Sequence, residues 1–145
     1  MNIPWNRDIM GDPEYKLAFD LIVRPIAEQF QPDLAIVACG FDAAAADMIG
    51  GYIVTPQMYA YMTAGLKEVV HGGRVLLCLE GGYNPRAIGE CFEACLKVLL
   101  GEDDQSSEFV MESSVTICKR ALLTLRNVIG VQKKYWSLSE PDAVV

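Results

Sequence analysis

The sequence predicts an α/β fold built on a parallel sheet, and three features of the chain point to it. Two buried-looking strand segments occur, Leu34–Cys39 and Arg74–Leu79, and the first carries no polar alternation, as expected of a strand covered on both faces. Each runs into a glycine-rich corner ending in a reactive side chain, Gly40-Phe41-Asp42 in one case and Glu80-Gly81-Gly82-Tyr83-Asn84 in the other. Helical segments precede, separate and follow them, giving the order helix, strand, helix, strand, helix with right-handed crossovers. Active sites of such folds lie beyond the carboxyl ends of the strands, so Asp42 and Tyr83 are candidates for one shared site.

Taking the elements in order, Asp12-Pro13-Glu14 reads as a helix start: Asp able to cap, Pro suited to the first turn, Glu favourable at the positive end of the dipole. A helix of about 17 residues should follow, with a kink or local break at Pro25, whose missing N–H and bulky ring disrupt the regular bonding. Pro32-Asp33 ends it. Thr55-Pro56 repeats the cap-then-proline signal, and the helix it opens should run to about Val70 and close on Gly72-Gly73 as left-handed caps. Asn84-Pro85 opens a third helix with Ile88, Cys91, Phe92, Cys95, Leu96 and Leu99 on one face, closed by Gly101. Ala43–Ala46 suit a tight loop rather than a helix.

Both strands read as interior, yet the sequence supplies no convincing neighbours to flank them, and two strands do not make a stable, doubly covered sheet. The expectation is part of a larger sheet lacking its N-terminal strands. Residues 102–112 form an acidic linker, and Ser113 or Ser114 caps a last helix spanning 113–136. Residues 137–145 are expected to be a flexible tail.

Composition narrows the functional classes. Of 145 residues, 52% are hydrophobic and 21% charged, enough for a core and for solubility in one domain or a piece of one. A net charge of −7 argues against a surface built to neutralise phosphates, so no direct nucleic-acid ligand is expected, although an acidic protein can still act on a basic peptide. The longest apolar runs, about five to seven residues, are too short to span a bilayer, and the first residues of this sequence do not show the charged segment leading into an apolar stretch that a signal peptide would. No membrane association is expected, and the location should be intracellular. Cys39, Cys78, Cys91, Cys95 and Cys118 include no C-x-x-C pair and suit reduced core thiols. The sole histidine, His71, reads as a surface cap at a helix end. Any mechanism requiring two or three imidazoles therefore cannot be completed within these residues.

The ordered segments Asn2-Ile3-Pro4-Trp5-Asn6, Met10-Gly11-Asp12, Pro32-Asp33-Leu34, Gly40-Phe41-Asp42-Ala43-Ala44, Gly50-Gly51-Tyr52, Val54-Thr55-Pro56, Gly73-Arg74-Val75 and Leu79-Glu80-Gly81-Gly82-Tyr83-Asn84 resemble the C-terminal part of a zinc-dependent histone deacetylase domain. The resemblance runs from Asn2 to Trp136 and is nearest to class II, particularly class IIb. It implies an arginase/deacetylase-type parallel-sheet fold, with residues 1–101 as the C-terminal part of the catalytic domain.

The resemblance also implies roles. Asp42 matches the second carboxylate ligand of the zinc, whose other ligands are an Asp-x-His pair, and Tyr83 matches the tyrosine that hydrogen-bonds the oxyanion while a His-His pair handles protons. Gly81, Gly82, Ile49 and Phe41 are placed along the substrate channel, the glycines letting the backbone pass close to the substrate. Glu80 reads as a hydrogen-bonded support of its loop. The family's continuation Ala-Ala-x-Gly-Asp-Pro-Leu-Gly-Gly is here Ala43-Ala44-Ala45-Ala46-Asp47-Met48-Ile49-Gly50-Gly51, which loses the Gly and Pro that shape the loop. Ile49, apolar where polyamine-deacetylating relatives are acidic, favours acetyl-lysine in a histone or other protein.

The His-His and Asp-x-His elements are absent from this sequence, and one carboxylate does not hold catalytic zinc. The expected function is therefore that of the C-terminal portion of a lysine deacetylase, nuclear or cytoplasmic, with Zn2+ in the complete domain and corepressor proteins as partners. As an isolated chain it is expected to be inactive. The alternatives are a non-catalytic module docking on a full deacetylase or a corepressor complex and, more remotely, an unrelated α/β hydrolase fragment.

Overall fold

The computed structural model describes residues 1–5, 8–102, 109–110 and 116–141. In chain order the elements are α1 (Asp12–Ala18), a π-helical turn (Phe19–Val23), α2 (Arg24–Phe30), β1 (Ala35–Cys39), α3 (Pro56–Val69), a 3-10 turn (His71–Gly73), β2 (Val75–Leu79), α4 (Pro85–Leu100) and α5 (Lys119–Gln132). The strands pair in parallel, Ala35 opposite Val75 through Cys39 opposite Leu79. No helix among the described residues is long and apolar enough to cross a membrane.

The start of α1 differs in detail from the sequence expectation. Gly11, in extended conformation, is the cap residue, and its N–H donates to Glu14 Oε2 at 3.0 Å. Asp12 does not cap. Its carboxylate instead accepts the N–H of Thr55 at 2.8 Å and the hydroxyl of Thr55 at 2.6 Å, while Thr55 Oγ1 accepts from Met58 N–H. The first turns of α1 and α3 are thereby tied together. Glu14 is buried, and its second oxygen accepts from Cys118 N–H at 3.0 Å, anchoring the approach to α5.

The break expected at Pro25 is a change of helical pitch. α1, the π-turn and α2 run without interruption, and Arg24 N–H reaches Phe19 O, five residues back. Pro25 has no N–H to offer and its ring would meet a carbonyl four residues earlier, so widening one turn by a residue accommodates it. Gln31, left-handed at φ 52°, then ends α2.

Only one face of the sheet is covered among the described residues. α3, the crossover between the strands, packs on α4, and Cys39 joins Phe41, Met58, Tyr59, Cys91 and Cys95 in the main core, with Val37 and Leu77 against it. On the opposite face Ile36 is 66% and Leu76 50% exposed. Cover on both faces is therefore not provided by these residues, because α3 and α4 lie on the same side. The apolar face of α4 is also turned from the expected one: Ala87, Cys91, Cys95 and Val98 are buried, while Phe92 and Leu96 are left at the surface.

All five cysteines are free. Burial pushes the Cys91 thiol up to about 11, and a hydrogen bond with Cys95 together with burial pushes Cys39 up as well, so these behave as core thiols rather than nucleophiles.

α5 begins at Lys119, with Cys118 as its cap residue. Ser113, Ser114 and most of the 102–112 linker lie outside the described residues. Leu125 and Ile129 of α5 pack with Ala18 and Ile22 and with Leu138, which places the C-terminal helix on the N-terminal one. The flexible tail expected from residue 137 does not start there. Ser137 N–H donates to Gln29 Oε1 at 2.8 Å, Gln29 Nε2 donates back to Ser137 O at 2.9 Å, and Leu138 is buried. Residues 142–145 lie outside the described set.

Candidate active site

The corners that follow β1 and β2 meet because the strands are adjacent and in register. The ladder continues past their ends: Glu80 N–H donates to Cys39 O at 3.2 Å and Phe41 N–H to Gly81 O at 2.9 Å. Gly81 lies against Asp42, where a β-carbon would sit 2.9 Å from Oδ2. Its lack of a side chain makes room for that carboxylate. Gly82 has φ 119°, and a β-carbon there would also press to 2.9 Å on Ile88, so both strain and packing require glycine.

The loop returning from Asp42 folds on itself through Asp47. This side chain is 5% exposed. Its Oδ1 accepts Ile49 N–H at 2.8 Å and Gly50 N–H at 3.0 Å, and its Oδ2 accepts Tyr83 N–H at 2.6 Å. Bonds from Gly50, Tyr83 and Ile49 N–H hold its carboxyl below the usual carboxylate range. Gly50 fits so tightly that a β-carbon would overlap the carbonyl oxygen of Asp42. From the other side, Asn84 caps α4 by accepting Arg86 and Ala87 N–H, and its Nδ2 donates to Ala46 O at 2.8 Å.

Of the expected site residues, Tyr83 and Ile49 share one cleft, while Phe41 and Asp42 do not line it. Tyr83 is 61% exposed and Ile49 is exposed too; both line a cleft of about 290 Å³ with Ala46, Met48, Asn84 and Pro85. Phe41, expected on the substrate channel, is fully buried with its ring edge-on to Tyr59 at 5.0 Å and to Phe92 at 6.4 Å. It is the floor beneath the corners, since the strand continuation turns its ring inward. Asp42 is half-buried and lines a separate cavity of about 310 Å³ that includes Tyr15, Cys39, Tyr59 and Thr63. Burial, then Tyr52 and Asp42, push Tyr15 up to about 12.

Two further groups fall outside. His71 follows α3 and precedes β2, so it lies at the end of the sheet opposite the corners; it is exposed, with its N–H on Pro32 O. Glu80 is exposed and supports its loop through its backbone N–H. Among the described residues no group of three or more His, Cys, Asp or Glu is placed to hold a metal ion. Asp42 fits as a single oxygen donor, with Gly81 leaving its carboxylate unobstructed, but the described residues do not complete a donor set. Asp47 was not among the site residues expected from the sequence, although its persistence between two altered loop positions was a signal that could have found it.

A family model described as "Histone deacetylase domain" matches residues 1–99. The chain belongs to the histone deacetylase family. It is 40% identical over 141 residues to histone deacetylase clr3 of Schizosaccharomyces pombe, covering 97% of this chain and 20% of that protein. It is 40% identical to histone deacetylase 4 of Caenorhabditis elegans, with 94% and 16% covered, and 42% identical to histone deacetylase 7 of Homo sapiens, with 94% and 15% covered. The solved structure of the histone deacetylase Clr3 superposes with a TM-score of 0.83 at 39% identity over 99% of this chain and 25% of that one. The HD domain of HDA15 gives 0.80 at 38% identity over 93% and 36%. The histone deacetylase fold is thus present in part, and the chain spans a fifth or less of the length of these curated relatives.

Proposed function

We propose that the chain is the C-terminal portion of a zinc-dependent protein lysine deacetylase of class II type, nearest to class IIb, with residues 1–101 belonging to the catalytic domain. The supporting observation is the joining of the two corners: Phe41 N–H on Gly81 O and Tyr83 N–H on Asp47 put a carboxylate corner and a phenol corner side by side at the carboxyl ends of adjacent strands. The reaction served is hydrolysis of N-acetyl-lysine on a histone or another protein.

Zinc, when bound, makes its water acidic and polarises the acetyl carbonyl. Asp42 serves as one of its oxygen ligands. Tyr83, exposed at its corner, donates its phenol hydrogen to the oxygen on which negative charge develops, a donor that acts most strongly when fixed in advance. Ile49 and Met48 give the cleft beside Tyr83 an apolar rim that suits an aliphatic lysine stem and disfavours a second amine. Gly81 and Gly82 serve the site by admitting Asp42 and by packing on Ile88, in addition to any clearance they give substrate. Nuclear or cytoplasmic location and corepressor partners accompany this reading.

The remaining donors and the proton-handling imidazoles must come from residues other than these, since the one histidine lies at the far end of the sheet. The 145-residue chain alone should therefore bind zinc no more tightly than micromolar and release no acetate from acetyl-lysine peptides. Competition with a chelating dye and a fluorogenic deacetylation assay test this. Turnover that survives repurification and is abolished by Asp42→Ala would refute it. The exposed sheet face at Ile36 and Leu76 supports one second reading, a non-catalytic module docking through that face on a full deacetylase or a corepressor complex.

A further inference from the structure

We propose that Asp47 is the positioning residue of this site, a buried clamp that fixes the Tyr83 corner to the Asp42 corner; the proposal rests on the deacetylase reading above. A single carboxylate bonds the two loops at once. Oδ1 closes the Ile49-Gly50 turn, and that turn lies against the Asp42 carbonyl so closely that only glycine fits at position 50. Oδ2 takes the amide of Tyr83 at 2.6 Å, the shortest of its three bonds. No cation pairs with Asp47 among the described residues; its buried charge is met by backbone N–H groups alone. A buried carboxylate bonded only to the main chain fixes backbone, not side-chain, geometry, and its bonds are stronger than those of a neutral acceptor.

The need for such a clamp follows from the exposure of Tyr83. More than half of the residue is open to solvent, and its neighbours Gly81 and Gly82 give the corner little stiffness of its own. An oxyanion donor acts only if it is held within a fraction of an ångström of where charge appears. Asn84 adds a second bridge, to Ala46 O, on the same pair of loops. Asp47 touches neither substrate nor metal in this scheme and acts through Tyr83.

The test uses the complete deacetylase domain that carries this chain as its C-terminal part, comparing the wild type with Asp47→Asn, Tyr83→Phe and the double variant. The amide Asn keeps an acceptor for the turn but cannot offer a carboxylate to both loops. Asp47→Asn should retain zinc and leave KM within about twofold while lowering kcat about tenfold. In the Tyr83→Phe background the same change should cost less than about twofold, since the group through which it acts is already gone. An equal fractional loss in both backgrounds would mean a general structural role and overturn the proposal. Amide hydrogen exchange at Tyr83 supplies a readout free of turnover and of any variant: in the wild type this amide should be protected at least a hundredfold despite the residue's exposure, and an unprotected amide overturns the clamp. A wild-type domain without turnover would instead defeat the deacetylase reading, while the exchange at Tyr83 would still decide whether Asp47 holds it.

Discussion

At the scale of single residues, the site depends on where side chains are absent as much as on where they are present. Gly50 and Gly89 make the contrast. A β-carbon at Gly50 has no room against Asp42 O, whereas at Gly89, inside α4, nothing lies within 4 Å. Gly50→Ala should destabilise by about 3 kcal/mol or more and disturb zinc binding. Gly89→Ala should stabilise by about 0.5–1 kcal/mol, because it only removes backbone freedom from the unfolded chain. Denaturant melts of the two variants in the complete domain would separate them. The functional pair should separate as cleanly: Asp42→Asn should reduce zinc content, a neutral amide being the poorer ligand, while Tyr83→Phe should keep zinc and lower kcat about a hundredfold. Unchanged kcat in Tyr83→Phe together with full zinc in Asp42→Asn would break the assignment of both roles. Asp47 adds a pH dependence. Its carboxyl is lowered in the folded state, so the unfolded chain holds more protons in acid; the stability it confers is complete above the ordinary carboxylate range and is lost as pH falls through and below it. Acid titration of unfolding should show a shallower decline in Asp47→Asn.

At the scale of elements, the capping signals at Thr55 and Asn84 located the starts of α3 and α4, whereas α5 starts at Lys119 rather than near residue 113, and the tertiary contacts changed what some capping residues do. Thr55 caps α3 as its type and position predict, yet it also donates to Asp12, which the sequence alone assigns to capping α1. One residue therefore serves two helices. Thr55→Ala should cost about 1–2 kcal/mol, at the upper part of the range for a lost cap, and a Tm shift smaller than that of an ordinary exposed threonine would count against the double role. Pro25 marked an irregularity that sequence could locate but not describe, since a break, a kink and a π-turn all relieve the same clash. The stripe on α4 was wide enough to allow two rotations of the helix. Which edge was buried depended on α3, whose Tyr59, Ala60, Thr63 and Ala64 are themselves buried.

At the scale of the molecule, the two-stranded sheet leaves Leu34, Ile36 and Leu76 substantially exposed on or beside the face opposite the core. A contiguous apolar face of this kind marks a surface that is normally covered. The purified 145-residue chain should aggregate or bind ANS strongly, and joining the chain to the rest of a deacetylase domain should abolish the dye signal. A monomeric, cooperative and dye-silent thermal transition of the chain alone would favour the docking-module reading instead. By itself the sequence determined the strand and helix order, the two corners and the family, because capping residues, glycines and unbroken apolar runs act over a few neighbours and leave a local trace. The tertiary structure decided that Phe41 lies under the site rather than along it, that Ser137–Leu138 dock on α2 and the core, and that Asp47 joins both corners. Those outcomes depend on bonds between residues 36 to 108 positions apart, and such pairings arise from how the crossover brings segments together, a geometry that no local pattern encodes.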